Sequence, residues 1–390
     1  MQNQTPVQNQ TEARLRRIRG LVPPKRFDAR TIAALTRNPA CARRAVLDAA
    51  GVDKEHLARR IGFPPSFGQS PFAIVRGNVF EARVRAEECV ELLRLLREDL
   101  GIDLPDEVSY ADLGAADGAE ATLGARLARS RSRLFEAIGY ADGARGRCGG
   151  GPSLLVHPLL PMLVGGQNVY LEPDLVVVQP GGMVRVIEVK SFPVIDGQAD
   201  GEKAAAAAIQ AAVYVLALQR MFGRPELVSD EVVLVCPKDF SNTPVATTLD
   251  IRRQVLVLEH QLARLTSIDM QLDRLPAGLT FDLGRRDGVP VRSVVELADA
   301  LGHVPARYVP DCLSVCEMAF FCRKEAAGRT AALGVGVCEQ LGGVETVTEA
   351  LGLAEGTAAP ADDQTEAAAM LRTIARVYTS ALDTAAGGAR

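Results

Sequence analysis

Two carboxylates and a lysine lie in and beside two short apolar runs within residues 170–191. The runs are joined by the turn-forming residues 179–182 (Gln-Pro-Gly-Gly), and this pattern predicts a β-hairpin. A hairpin centred on that turn places Asp174 roughly opposite Glu188, and strand alternation places Glu188 and Lys190 on the same face. Charged side chains on an otherwise buried strand are costly unless they are paired or bound to an ion. The three residues therefore fit either a Mg²⁺ site, in which the lysine stabilises charge on a phosphate or orients water, or a surface ion pair.

A long apolar segment follows the hairpin. Residues 202–222 are rich in Ala and Leu and contain neither Pro nor Gly, so they predict a helix. Gln210 and Tyr214 are four residues apart and share one face of that helix. If the helix packs on a sheet, these two polar side chains need partners, and without further information they are satisfied polar residues of the core.

Three cysteines, Cys312, Cys316 and Cys322, fall within eleven residues. The sequence shows no export signal at its start, and in a reducing compartment clustered cysteines bind metal more often than they form disulfides. Thiolates select zinc or iron–sulfur clusters. The other cysteines are isolated in sequence, and we expect Cys89, Cys148, Cys236 and Cys338 to be structural.

The hairpin and the helix together resemble a known nuclease family. Pro173-Asp174 followed by Glu188-Val189-Lys190 resembles the PD-(D/E)xK signature of the restriction-endonuclease-like nucleases. Gln210 and Tyr214 resemble the Q-x-x-x-Y motif of the RecB-like branch, which lines the active site and the DNA path. The resemblance implies catalytic roles for Asp174, Glu188, Lys190, Gln210 and Tyr214, with Mg²⁺ or Mn²⁺ as the cofactor.

The same resemblance adds an upstream metal ligand. The family's first motif is a glycine followed by His or Glu at the start of a helix, and Gly77 is followed by Glu81 in a segment with helical rhythm through Leu96. Many members have a histidine in this motif, whereas this chain has Phe80 just before Glu81. Glu81 therefore joins Asp174 and Glu188 as a metal ligand by resemblance, and the alternative is a solvated helix glutamate.

The cysteines resemble the cluster motif of RecB-like nucleases that hold a 4Fe–4S cluster, such as the CRISPR-associated exonucleases and the AddB nuclease domain. This resemblance implies that Cys41, far upstream, completes the set Cys312, Cys316 and Cys322. The family usually has two residues between the first two downstream cysteines, whereas this chain has three. A structural Zn²⁺ site using Cys41 or His303 is the alternative.

Composition sets broad bounds on the class of protein. The chain has 390 residues, 47% hydrophobic and 24% charged, with a formal net charge of −4 and no Trp. This composition is ordinary for a globular protein. The chain is long enough for more than one domain. No global basic excess marks a polyanion partner, but a local groove suffices to bind nucleic acid. The Arg-rich residues 14–60 fit either phosphate contacts or a solvated helical face.

The expected fold class is α/β, with a restriction-endonuclease-like core (a central mixed β-sheet flanked by helices) and a helical N- and C-terminal iron–sulfur region. We expect residues 109–140 to be largely helical and residues 154–164 to form an edge strand, because Pro158 and Pro161 interrupt its hydrogen bonding. The expected organisation is a disordered tail (1–12), an N-terminal helical region (13–150), the nuclease core (151–275), a cysteine region (276–330) and a helical extension (331–390).

These features predict a metal-dependent DNA nuclease. By resemblance, the expected activity is that of an exonuclease on single-stranded DNA ends, in DNA repair, CRISPR adaptation or phage defence. No P-loop is present, so a helicase or defence-complex partner would be a separate polypeptide. We expect a cytoplasmic location and no membrane association. The alternatives are an endonuclease of the same fold, a catalytically silent nucleic-acid-binding subunit and a non-nuclease protein with a zinc-stabilised helical domain.

Overall fold

The computed structural model describes residues 6–25, 28–65, 71–114, 122–139, 150–164, 167–239, 241–263 and 268–387. Cys148 lies outside the described residues, and so do the side chains of residues 35–37 and 338. The strands in chain order are β1 Ser109–Asp112, β2 Ser153–Val156, β3 Leu160–Val164, β4 Gln167–Leu171, β5 Leu175–Val178, β6 Val184–Val189, β7 Val194–Ile195, β8 Gln198–Ala199, β9 Glu231–Pro237, β10 Pro244–Asp250, β11 Arg285–Arg286 and β12 Val289–Pro290.

Helices make up most of the remaining described structure. In chain order they are α1 Pro6–Arg19, α2 Ala29–Arg37, α3 Ala42–Ala50, α4 Lys54–Arg60, α5 Pro71–Val84, α6 Ala86–Arg94, α7 Leu123–Ala137, α8 Gly201–Phe222, α9 Arg252–Ala263, α10 Ile268–Leu272, α11 Val294–Gly302, α12 Cys312–Val315, α13 Ala319–Glu325, α14 Val335–Gln340, α15 Val347–Glu355 and α16 Thr365–Gly387.

A six-stranded mixed sheet forms the centre of the protein, with strand order β1-β2-β5-β6-β9-β10. β1 and β2 are parallel and are connected through α7, while β6 and β9 are parallel and are connected through α8. The remaining neighbours, β2 with β5, β5 with β6 and β9 with β10, are antiparallel. This is the expected central mixed sheet flanked by helices.

The predicted hairpin is confirmed. β5 and β6 pair antiparallel with Leu175 opposite Ile187, so the same register continued by one residue sets Asp174 opposite Glu188. The connecting turn uses Gly181 and Gly182, which have φ of 87° and 82°. Such positive φ values are the conformation that glycine adopts without steric cost, which explains why a Pro-Gly-Gly sequence makes this turn.

Helices cover both faces of the sheet. On one face Val176, Val178, Val184 and Val186 pack against α8, α2 and α7 in one apolar cluster. On the other face a second cluster joins strand residues to α5 and α6; its strand members are Leu154, Val156, Leu175, Val177, Ile187, Val233 and Val235. Strands buried on both faces have continuous apolar runs, and this is the pattern of β5 and of most of β9, whereas β6 also carries Arg185 and Glu188.

The predicted helix after the hairpin is confirmed as α8. Asp200 caps it by accepting a hydrogen bond from the Lys203 amide at 3.0 Å, and it ends at Gly223 with a φ of 63°. The helix is long and apolar enough to cross a membrane, but 67% of its most apolar window is buried inside the protein. Its apolar character is explained by packing on the central sheet.

The N-terminal helices pack against the C-terminal third of the chain. A third apolar cluster joins residues of α1, α3 and α4 to residues between 268 and 322. The Ile18 carbonyl accepts a hydrogen bond from the Phe281 amide at 2.6 Å, and the Arg43 guanidinium donates to the Leu301 carbonyl at 2.7 Å. Hydrophobic packing thus groups three parts of the chain: a central sheet region from about residue 71 to 263 with α2 added, a region built from both flanks, and a small separate cluster within residues 341–371.

Several expectations about secondary structure need correction. Residues 6–12, expected in a disordered tail, belong to α1, because Leu15 and Ile18 bury one face of that helix and Arg14 bonds to the Leu275 carbonyl. Residues 109–140, expected to be largely helical, contain the helix α7 but begin with β1, which exists through its parallel pairing with β2. Residues 154–164 form parts of two strands, and β2 lies inside the sheet because Pro158 and Pro161 come after it.

The long helix expected through Leu96 is interrupted. Glu87, Glu88 and Cys89 have φ of 52°, 55° and 67°, which is the left-handed region that non-glycine residues rarely adopt. α5, which carries Glu81, is therefore a separate helix from the α-helical and π-helical turns that follow. The kink follows Glu81 in the sequence, so Glu81 stays on α5.

The arginines of residues 14–60 serve the fold more than an open basic surface. Arg43 and Arg44 are buried, and Arg44 pairs with Asp48. Arg19 donates to the Ala50 carbonyl at 2.9 Å and Arg60 donates to the Arg292 carbonyl at 2.6 Å. Arg16, Arg17, Arg30 and Arg59 are exposed, so part of the segment is the solvated helical face that the sequence allows, and phosphate contacts stay a prediction.

Candidate active site

One end of the central sheet gathers the ionisable residues. Asp112 ends β1, His157 follows β2, Asp174 precedes β5 and Glu188 is near the end of β6. The His157 amide donates to the Asp174 carbonyl at 3.1 Å, so the strand pairing continues through both residues. Because neighbouring strands are hydrogen bonded in this register, His157, Asp174 and Glu188 lie in one cross-strand row, and Asp112 pairs with Val156, one residue before that row.

Asp174 and Glu188 meet as the sequence predicts. The Val189 amide donates to Asp174 Oδ2 at 2.8 Å, which fixes the aspartate against β6. Glu188 is only 1% exposed, and alternation along β6 turns it toward α8, as it does Val184 and Val186. Both carboxylates are therefore fixed on β6, Glu188 as one of its residues and Asp174 through its hydrogen bond from the Val189 amide.

Lys190 lies between the two carboxylates. Its ammonium donates to Glu188 Oε2 and lies 3.9 Å from Asp174 Oδ2. Burial alone would lower the pKa of Lys190, but Glu188 and Asp174 raise it, so the side chain carries its positive charge at neutral pH. The lysine therefore partly compensates two negative charges that burial would otherwise make costly.

Glu188 remains incompletely satisfied. Its Oε1 atom is buried and has no hydrogen-bond donor among the described residues. Burial raises the pKa of Glu188 to about 7, against the opposing effect of Lys190. Burial also raises the pKa of Asp174. A buried carboxylate oxygen without a donor is the arrangement that a hard cation satisfies, since Mg²⁺ and Mn²⁺ prefer oxygen ligands.

Glu81 reaches the same end of the sheet from α5. Its Oε1 atom lies 3.0 Å from His157 Nε2 and 3.5 Å from Arg85 Nη2. The hydrogen bond from His157 lowers the pKa of Glu81, and Glu81 in turn raises the pKa of His157. Lys190 also acts electrostatically on Glu81, which places Glu81 in the charge environment of the other two carboxylates.

The helix residues Gln210 and Tyr214 face the site from α8. Gln210 Nε2 donates to Tyr214 Oη at 3.3 Å, and Tyr214 is 5% exposed. Burial, together with the negative charges of Glu188 and Asp174, raises the pKa of Tyr214 well above its usual range. The tyrosine is therefore a neutral hydroxyl beside the buried carboxylates, as the motif spacing predicts.

The carboxylates do not yet form a closed coordination shell. Across the residues that the structure describes, no group of three or more His, Cys, Asp or Glu side chains is arranged to hold one metal ion. The contacts give the physical reason, because the Lys190 ammonium pairs with Glu188 and Glu81 pairs with His157. Asp174, Glu188 and Glu81 carry oxygen atoms of the kind that a divalent ion prefers, and Lys190 contacts Oε2 of Glu188 while Oε1 has no donor among the described residues.

The four cysteines of the expected cluster lie in one part of the protein. Cys41, Cys312, Cys316 and Cys322 are each 7% exposed, and the last three belong to the apolar cluster that joins both flanks of the chain. Residues that flank Cys41 contact the other sulfur atoms: Asn38 Nδ2 lies 3.5 Å from Cys312 Sγ and Arg43 Nη1 lies 3.3 Å from Cys322 Sγ. Burial raises the pKa of Cys322 to about 12, so without metal this thiol is protonated.

Two buried arginines lie beside these thiols, which the described structure does not arrange as a metal-binding group. Arg43 and Arg44 are both buried here, and Arg44 Nη1 has no acceptor among the described residues. N–H groups directed at sulfur stabilise metal thiolates and tune their potential. His303, the histidine of the zinc alternative, is half exposed, and its Nε2 lies 3.6 Å from Asp299 Oδ2.

His157 is the site residue that sequence reasoning missed. The sequence shows four histidines without the paired spacing of a zinc hydrolase, and that pattern gives no reason to select one of them. The available signal was positional, because His157 directly follows the apolar run 153–156 just as Glu188 ends the run of β6. The contact with Glu81 joins residues 76 positions apart, and only the folded sheet reveals it.

Comparisons with known proteins add little to this picture. No protein-family model and no curated protein matches the sequence. A solved structure of a protein designated SSO0001 is 11% identical, with a TM-score of 0.26, over 65% of this chain and 83% of its own. A candidate exonuclease from Eubacterium rectale is 12% identical, with a TM-score of 0.32, over 83% of this chain and 93% of its own. Both scores are too low to carry an argument, so the site is interpreted from its own geometry.

Proposed function

We propose that this protein is a metal-dependent DNA nuclease of the RecB-like PD-(D/E)xK type. The observation that carries the proposal is the buried Glu188, which shares Lys190 with Asp174 and keeps one oxygen without a donor. A structural ion pair would need neither the second carboxylate nor the open oxygen. The three charged residues of the sequence motif, Asp174, Glu188 and Lys190, lie together, which supports the proposal.

Each residue then has a specific role in phosphodiester hydrolysis. Asp174 and Glu188, with Glu81 from α5, bind Mg²⁺ or Mn²⁺. A bound divalent ion polarises the phosphate and lowers the pKa of a coordinated water. Lys190 orients the attacking water or stabilises charge that develops on the phosphate, because its ammonium lies within reach of both carboxylates. Gln210 and Tyr214 orient the DNA strand or the carboxylates.

A 4Fe–4S cluster held by Cys41, Cys312, Cys316 and Cys322 completes the proposal. Such a cluster supplies a covalent link between the N-terminal helices and the cysteine region. The chain's own contribution is the pair of donors next to Cys41, Asn38 and Arg43, which contact the sulfur atoms of Cys312 and Cys322. A structural Zn²⁺ at the same thiols is the competing assignment, and metal analysis separates the two.

The substrate class follows from the resemblance. We propose that the enzyme acts as an exonuclease on single-stranded DNA ends, in DNA repair, CRISPR adaptation or phage defence. A cytoplasmic location and a separate helicase or defence-complex partner belong to the same proposal. An endonuclease with the same site is the nearest alternative, and a binding subunit that does not turn over is the next.

The test uses protein purified without oxygen and incubated with end-labelled linear and circular single-stranded DNA, with Mn²⁺ or with EDTA. Mn²⁺-dependent loss of the linear substrate alone supports an exonuclease, and cutting of the circle identifies an endonuclease. Absence of cleavage of either, in folded protein, refutes the nuclease proposal.

A matched pair of lysine variants tests the site itself. Lys190→Ala removes the ammonium between the carboxylates and should lower the cleavage rate by about 100-fold or more, in line with the loss of one electrostatic contact in a catalytic site. Lys238→Ala removes an exposed lysine just beyond β9 and should leave the rate unchanged. Equal activity of the two variants would remove Lys190 from the mechanism.

A further inference from the structure

His157 has an unusual backbone for a residue of its size. Its φ is 48°, in the left-handed region that non-glycine residues seldom adopt. The conformation is held at both ends of the residue, since its amide donates to the Asp174 carbonyl and its carbonyl accepts from Arg126 Nη2 at 3.3 Å. A strained residue persists where the surrounding contacts over-determine it, and such residues concentrate at functional sites.

The imidazole is packed closely on one side. A Cβ atom placed at Gly114 would lie 2.8 Å from His157 Cβ and 2.9 Å from its Nδ1. Only a residue without a side chain fits at position 114 with the ring in this position. Asp112 Oδ1 lies 4.0 Å from the same Nδ1 atom. The ring therefore has a defined position between β1 and α5, with Nε2 directed at Glu81.

Glu81 needs such support. It lies on α5, while Asp174 and Glu188 are fixed by the hydrogen bonding of the sheet. The His157 contact at 3.0 Å links this helix residue to the row of the sheet, and Arg85 is a more distant second partner at 3.5 Å. The imidazole occupies Oε1 and leaves the other oxygen of Glu81 available.

We propose that His157 is the positioning residue for Glu81, which it holds from the sheet in the geometry that metal binding requires. This inference rests on the proposed function, because Glu81 matters only if the site binds a divalent ion. His157 itself touches neither the ion nor the phosphate in this proposal. It acts through the carboxylate, as residues outside a coordination sphere commonly do.

Two substitutions at position 157 separate the length of the side chain, which decides whether it contacts Glu81, from the ability of the residue to adopt the left-handed backbone conformation. His157→Asn keeps a side chain that tolerates the left-handed conformation, but its amide is too short to replace Nε2. His157→Gln restores a donor at about the distance of Nε2. We expect His157→Asn to weaken Mn²⁺ affinity by about 10-fold, the lower end of the usual effect of such supporting residues, and His157→Gln to recover most of it.

The measurement is direct binding of Mn²⁺ to the full chain. The electron paramagnetic resonance signal of free Mn²⁺ reports the amount that remains unbound, so the measurement does not depend on enzymatic activity. The same substitutions are made in the Glu81→Gln background. If His157 acts through Glu81, His157→Asn should cause no further loss there. An equal loss in both backgrounds, or no loss in the wild-type background, would overturn the proposal.

Controls separate this inference from the function it rests on. Asp174→Asn should abolish Mn²⁺ binding, and if it does while His157→Asn has no effect, only the role of His157 is refuted. If the wild-type chain binds no Mn²⁺, both proposals fail. Should His157→Asn not fold, as judged by circular dichroism, His157→Gly takes its place in both Glu81 backgrounds, because glycine adopts the positive φ and lacks the ring. A loss of affinity confined to the background with intact Glu81 supports the positioning role, and an equal loss in both backgrounds or no loss refutes it.

Discussion

Glu188 couples the chemistry of the site to the stability of the protein. It is 1% exposed, and burial raises its pKa to about 7 from a usual value of 4.5. A carboxyl whose pKa is higher in the folded than in the unfolded protein binds protons more tightly when folded. Its contribution to stability is therefore complete below pH 4.5 and is lost as the pH rises through 7.

The metal-free protein should thus be less stable at pH 8 than at pH 5. The loss attributable to Glu188 is of order 3 kcal/mol, from its shift in pKa and 1.36 kcal/mol per unit. Asp174 and His157, whose pKa values are also raised, act in the same direction. Chemical denaturation across this pH range measures the effect.

Glu188→Gln is the matched control for this prediction, because it keeps the shape of the side chain and removes the titrating group. The variant should show a much flatter dependence of stability on pH between 5 and 8. A slope equal to that of the wild type would mean that Glu188 is not the responsible group. Mn²⁺ should stabilise the wild type most at the higher pH, where the carboxylates are ionised.

At the residue scale, the sequence predicts the members of the site whose signal is local. Asp174, Glu188 and Lys190 belong to one hairpin, so alternation and turn position suffice to place them together. Gln210 and Tyr214 are one helical turn apart. His157 and Asp112 come from other strands, and their proximity to Glu81 depends on sheet order, for which a single sequence carries no pattern.

At the element scale, α8 is the helix on which the site depends. Ala211 and Ala212, 1% and 0% exposed, allow the helix to approach the sheet closely and bring Tyr214 to Glu188. Small side chains at these positions are a packing requirement, since a filled interior has no room for added methylene groups.

Ala212→Leu should therefore destabilise the protein by about 1–3 kcal/mol through overpacking. Ala206→Leu, on the exposed side of the same helix, should change stability little, because Ala and Leu have similar helix propensities. Urea denaturation of the two variants gives the comparison. Similar stabilities would show that α8 does not pack on the sheet as described.

Elements with a strong local pattern were predictable, and elements that depend on distant partners were not. The hairpin has a glycine turn between apolar runs, and α8 has an uninterrupted run of good helix formers. β1 is four residues long and exists because β2 pairs with it. The break at Glu87–Cys89 interrupts a segment whose sequence has the rhythm of a continuous helix. Tertiary context overrides propensity in both cases.

At the scale of the whole molecule, the cysteine region joins distant parts of the chain. The Arg43 contact with Cys322 spans 279 residues and the Asn38 contact with Cys312 spans 274. The metal centre that we propose at these thiols would close a very long loop and so remove conformational freedom from the unfolded chain. Cys41 is far from the other three cysteines in the sequence, and no residue near it indicates which cysteines lie beside it in the fold. For this reason the sequence suggests Cys41 only by resemblance.

Cys322→Ala should lose both the bound metal and a large part of the stability of the protein. Cys236→Ala is the matched control, because Cys236 is equally buried but lies in β9, within a different apolar cluster. Elemental analysis for iron and zinc, together with thermal denaturation, measures both effects. A Cys322→Ala protein that keeps its metal would exclude the thiol as a ligand, and zinc without iron would exclude the cluster.

The pairing of the two flanks has a consequence for how the chain folds as it is made. Arg14 and Arg43 bond to residues 261 and 258 positions later. At roughly 5–20 residues per second, the ribosome needs on the order of 10–50 s to deliver those partners. The strands of the central sheet are complete once Asp250 has emerged. The middle of the chain can thus fold first. During that time the apolar faces of α1, α3 and α4 have no partner, and a chaperone could bind them.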